Sequence, residues 1–175
     1  MAPMVTGMFR DRAAAEKAVG DLHNMGYSQN DISVMIQDDT IHKQFVNQVG
    51  NKAGEGLGAG ATIGGVLGAI IAGLTATGSI VALATTGGAA APLVAGPLAA
   101  ALAGLGVGSL SGGIIGALVG AGIPEEKARV YDEGLKAGGI LVGVTADSTR
   151  IDQVRQLLER DGAFDVQGNF AGTLR

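Results

Sequence analysis

The chain begins and ends in alternating apolar and polar positions, and between them runs a long stretch that has no polar face. Met4 to Phe9 is an apolar run of strand length. From Asp11 to about Asn24, residues Ala14, Ala15, Ala18, Val19 and Leu22 recur at helical spacing and share one face. Asp11 suits the N-cap, because a carboxylate there accepts from the free amides of the first turn. Gly26 suits the stop, because glycine takes the left-handed cap conformation without a steric penalty. In Asp31 to Gln37, Ile32, Val34 and Ile36 alternate with Ser33 and Met35, the pattern of a half-buried strand. Asp38, Asp39 and Thr40 open a connector expected to turn helical from Gln44 to Val49.

The C-terminal part repeats this logic. Pro124 suits a helix start, Glu125 and Glu126 suit the positive end of its dipole, and Gly138 and Gly139 end it after Lys136. Ile140 to Ala146 reads as a strand. Asp147 or Ser148 is expected to cap a helix carrying Ile151, Val154, Leu157 and Leu158, and Phe164 to Phe170 offers a last strand. Without the middle, the order is β-α-β-β-α-β. The expected fold is therefore α+β: a ferredoxin-like split β-α-β sheet with its helices on one face, interrupted by an insertion. The division runs 1–55, 56–123 and 124–175.

Residues 56–124 contain no charged side chain. Gly56, Gly60, Gly64 and Gly68 fall four apart and are continued by Ala72 and Ala76; Gly104, Gly108, Gly112, Gly116 and Gly120 follow Ala100 in the same way. Residues four apart lie on one helix face, so each series predicts a smooth groove, and together they predict a Gly/Ala-rich, glycine-zipper α-helical hairpin. Glycine costs about 1 kcal/mol relative to alanine inside a helix. Close backbone packing must offset that cost, so these nine glycines are the candidate helix-packing and oligomerisation residues. Replacing Gly112 by Leu is expected to weaken such packing while raising helix propensity. Helices over 56–76 and 98–121 would extend ~31 Å and ~36 Å, each about one bilayer hydrocarbon thickness. Gly78 to Ala91 would continue the helices or turn at Gly87 and Gly88, with Pro92 or Pro97 at a helix start.

Composition narrows the function classes. The chain has 31 Gly and 47% hydrophobic residues but only 3% aromatic and 16% charged, so small apolar contacts dominate. A net charge of -4 with no basic face argues against a nucleic-acid partner. Having no Cys, the chain has no disulfide, thiolate metal site or cysteine nucleophile. Arg10 and Asp11 interrupt any early apolar run, so no signal peptide is expected and a cytoplasmic location, with possible membrane association, is the default. The apolar hairpin can be buried in a homo-oligomer or in a lipid membrane, and both readings stay open. The membrane reading lacks flanking basic clusters and aromatic belts.

Other candidate chemistry has bland explanations. Gly56-Leu57-Gly58-Ala59-Gly60-Ala61 fits a G-x-G-x-x-A pattern, but it has no preceding strand and no acid follows until Glu125. His23 and His42 are the only histidines and lie on separate elements; His23 suits a helix C-terminus. Asp38-Asp39 reads as a turn and Glu125-Glu126 as a helix start, while Tyr131 reads as a partly buried packing residue. No catalytic residue, cofactor, metal or small-molecule substrate is predicted.

The stretch Gly122-Ile123-Pro124-Glu125-Glu126, then Tyr131, Gly134, Gly138-Gly139 and the strand Ile140 to Val144, resembles the bacterial general stress protein 17M-like family, the heat-induced stress protein YflT-like domain. So do Met8-Phe9, the Ala15-Glu16 helix start and Gly26-Tyr27 leading to Asp31-Ile32. The resemblance covers both ends of the chain and implies a bacterial, stress-associated, non-catalytic protein. A ligand-sensing ferredoxin-like module is the further alternative, on fold analogy alone.

Overall fold

The structure is a computed structural model, described for residues 3–37, 80–82, 93–99 and 113–168. In chain order its elements are β1 (Met4–Phe9), α1 (Arg12–Asn24), β2 (Ile32–Ile36), β3 (Ile80–Ala82), β4 (Leu93–Ala95), α2 (Gly113–Gly120), α3 (Glu125–Lys136), β5 (Ile140–Thr145), α4 (Ile151–Arg160) and β6 (Phe164–Gly168). The strands form one sheet in the order β3-β4-β2-β5-β1-β6, with every neighbouring pair antiparallel. Both ends of the chain thus share a sheet, as their alternation implied. The β2-β5-β1-β6 portion is compatible with a ferredoxin-like arrangement.

Local chemistry sets the boundaries. The Asp11 side chain accepts from the Ala14 amide at 2.9 Å and starts α1, and Gly26 follows its end at φ +92. Gly138, at φ +87, does the same for α3. Neither Asp147 nor Ser148 caps α4. Asp147 instead offers its carbonyl to the Arg150 amide at 2.8 Å, closing a turn that puts Arg150 at the N-cap with no side-chain cap bond. Arg150 uses its side chain elsewhere: it donates to the Met25 carbonyl at 2.7 Å and lies 4.5 Å above the Tyr27 ring, joining the end of α1 to the start of α4.

The helices cover both faces of the sheet, not one. On the first face α1 and α4 pack Ala18, Val19, Leu22, Val154 and Leu158 against Val5, Phe9, Val34, Val142 and Val144. On the second, α2 and α3 pack Leu118, Tyr131 and Leu135, together with Leu98, against Met8, Met35 and Leu141. The half-buried reading of β2 fails for this reason: Ser33 and Met35 are both fully buried. Ser33 can sit there because its hydroxyl accepts from the Leu98 amide at 3.0 Å, and a buried hydroxyl needs such a partner.

The uncharged middle also departs from an uninterrupted helical hairpin where it is described. Residues 80–82 and 93–95 are strands that extend the sheet beyond β2, with Val34 to Ile36 pairing Ala95 to Leu93. Isolated β-branched and apolar triplets gain more from completing the β2 edge ladder than glycine-rich sequence gains from helix formation. Gly96, at φ +88, turns the chain away from β4 into helical residues 97–99. A helix continuous over 98–121 is excluded, because Gly113 has φ +62 and α2 begins there. The connector expected over 44–49 and Gly56, Gly60, Gly64, Gly68, Gly104, Gly108 and Gly112 lie outside the described residues.

Candidate functional site

Two features of the second face carry functional interest. The first is the outer side of α2. Ile114, Ala117 and Leu118 point into the core, and Gly116 and Gly120 lie on other sides of the helix, half-buried and exposed respectively. Val119 is 41% exposed, and with Val130 of α3 it makes up the exposed large hydrophobic residues among those described. The two glycines of the stripe that can be placed are therefore not among the residues that α2 buries in its core.

The second feature is a polar cluster under α3. The Tyr131 hydroxyl lies 2.8 Å from the Thr6 hydroxyl and donates to the Asp165 carbonyl at 3.2 Å. Lys127, one turn earlier, donates to the Asp165 carboxylate at 2.6 Å. Tyr131 was expected to be partly buried but is fully so, and burial pushes its phenol up to about 12. Asp165 occupies an unusual backbone position. Met8 pairs with Phe164 and Thr6 with Gln167, so Gly7 opposes two residues of β6 and the strand carries a bulge. Asp165 sits in it at φ 51, the left-handed region, the sole non-glycine residue there among those described. The sequence contained no spacing signal for this cluster, because its members come from three elements and meet only through the fold.

On the opposite face, Lys17 and Arg160 hold Asp161 and Asp21 between α1 and α4. Lys17 donates to Asp161 at 2.5 Å and to Asp21 at 2.9 Å, while Arg160 reaches Asp21 at 2.8 Å and Asp161 at 3.2 Å. The hydrogen bond that Lys17 donates to Asp161 is the main reason that Lys17 holds its proton more tightly than usual, and the one it donates to Asp21 lowers Asp21. Each acid faces two cations, which makes this an interhelical clamp in charge balance.

The remaining candidates are placed as structural parts. His23 lies in the last turn of α1. Glu125 and Glu126 occupy the first turn of α3, and Glu125 pairs with Arg129 at 2.6 Å one turn on. His42, Asp38-Asp39 and Gly56 to Ala61 lie outside the described residues. No group of three or more potential metal ligands occurs among the described residues, and none of the helices there is long and apolar enough to cross a membrane. No family model, curated protein or solved structure matches the chain.

Proposed function

We propose that this is a non-enzymatic, bacterial stress-associated protein that self-assembles through the small-residue helical surfaces of its uncharged segment. The observation that carries the reading is the outer side of α2, where exposed Gly120 and half-buried Gly116 accompany exposed Val119 within residues 56–124, which have no charge to keep them in water. Small residues let a second helix approach closely, and the apolar area removed from water supplies the driving force. The stress association rests on the resemblance of both chain ends to the general stress protein 17M-like family.

Sizing in detergent-free buffer, combined with membrane fractionation, tests the assembly. The full chain should run as a homo-oligomer, and Gly120→Leu should reduce its size or make it aggregate, because a bulky side chain in a close helix contact costs about 1–3 kcal/mol per site. A detergent-free monomer for the native chain refutes self-association. Recovery only in membranes, resistant to high salt and alkali, replaces it with the reading of a membrane-associated hairpin protein.

A further inference from the structure

The strain and the polar links of the second face converge on one place. Among the described residues, the side-chain hydrogen bonds that α3 makes to strands run to Thr6 of β1 and Asp165 of β6. β6 is an edge strand whose neighbour in the sheet is β1. Its bulge keeps an L residue at φ 51, a conformation that survives where surrounding contacts over-determine it. Two of these contacts come from α3: Lys127 holds the side chain of Asp165 and Tyr131 holds its carbonyl.

α3 does not act alone. It follows α2 through residues 121–124, and the two helices share the core residues Leu118, Ile123, Ala128 and Tyr131. Below them Gly134 packs on Met8, where an added Cβ would lie 3.0 Å from the Met8 terminal methyl, so α3 and β1 are in close contact here. Tightly packed elements of this kind release as units.

We propose that Lys127, Tyr131, Thr6 and Asp165 form a latch that couples seating of the α2–α3 pair to the bulged conformation of β6. Lifting the pair breaks both contacts from α3 to Asp165, which lowers the barrier for the edge strand to lose the bulge or leave β1. Anything that draws α2 off the sheet thereby frees a sheet edge that the bulge otherwise keeps from pairing with another strand. The coupling follows from the contacts within one chain and does not depend on the assembly reading.

Native-state hydrogen exchange on the intact chain tests it, with Lys127→Met and Tyr131→Phe as separate variants. In the unaltered protein, amides of α3 and β6 should exchange through one shared opening that is faster than exchange in β5. Lys127→Met keeps the aliphatic stem and should accelerate that opening roughly fivefold in α3 and β6 alike, the upper end for a partly exposed ion pair. Tyr131→Phe keeps the ring packed and should accelerate the same opening more, roughly thirtyfold, in both elements. The latch is overturned if β6 opens independently of α3, if a substitution accelerates only α3, which carries it, or if both elements exchange only with β5 in global unfolding.

Discussion

The Thr6–Tyr131 pair offers a quantitative check on how the second face is held. Both side chains are fully buried, and their hydroxyls are 2.8 Å apart. Tyr131→Phe leaves the Thr6 hydroxyl without that partner in a dry environment, a penalty of about 1–3 kcal/mol. Thr6→Val is the milder change. It keeps the β-branched shape suited to a strand, and the Tyr131 hydroxyl retains its 3.2 Å bond to the Asp165 carbonyl. We expect about 1 kcal/mol from Thr6→Val and about 2 kcal/mol from Tyr131→Phe. The double variant should fall close to the worse single one, because replacing both partners removes the orphaned group. Urea unfolding followed by far-UV circular dichroism gives the four midpoints, at one protein concentration because assembly would shift them. Strict additivity of the two changes, within about 0.3 kcal/mol, would refute the reasoning, as would a neutral Tyr131→Phe.

Two further outcomes follow. Tyr131 is raised from 10.0 to about 12, so its folded state holds the neutral form; the resulting stability is fully present below pH 10 and lost as pH rises toward 12. The loss should reach about 1.4 kcal/mol by pH 11, and Tyr27, raised by desolvation, adds to it. Tyrosinate absorbance and circular dichroism recorded together check this: ionisation near pH 10 in a chain that stays native contradicts it. Gly96→Ala puts a side chain at φ +88, where its Cβ would collide with the Ile32 carbonyl and lie 2.9 Å from Ser33 Cα. It should cost at least about 2 kcal/mol and strip protection from β4 amides, whereas unchanged stability would show that the Gly96 turn does not position β4.

The end segments were legible because each element there carries its own local signal. Ala15, Ala18, Val19 and Leu22 mark the buried face of α1 in sequence and in space, and Asp11 and Gly26 sit where capping chemistry puts them. Periodicity, however, reports which residues are polar and cannot say whether a polar residue meets water. In β2 the alternation of Ser33 and Met35 with Ile32, Val34 and Ile36 made one face look solvated. Both Ser33 and Met35 are buried, and the Ser33 hydroxyl accepts from the Leu98 amide. A hydroxyl satisfied by a distant partner and one satisfied by water leave the same trace in an alternation pattern.

Where it is described, the uncharged middle departs from its glycine spacing for a related reason. Four-residue glycine spacing constrains a face only if a helix runs through it, and glycine is also the residue that most easily ends a helix. Gly113 lies outside the spacing, and its φ of +62 starts α2 afresh. Gly116 and Gly120 keep their helical relationship within that shorter element, where the core takes Ile114, Ala117 and Leu118. At eight residues α2 extends ~12 Å, well short of a bilayer's hydrocarbon core. A helix contact made through α2 would therefore be local, and the direct connection of α2 to α3 would place it close to Lys127 and Tyr131. An assembly that engages α2 would bear on the same helical pair that fixes the edge of the sheet, so size measurements and β6 exchange should be read on the same samples: oligomer formation that leaves β6 exchange unchanged means that α2 is engaged while still seated.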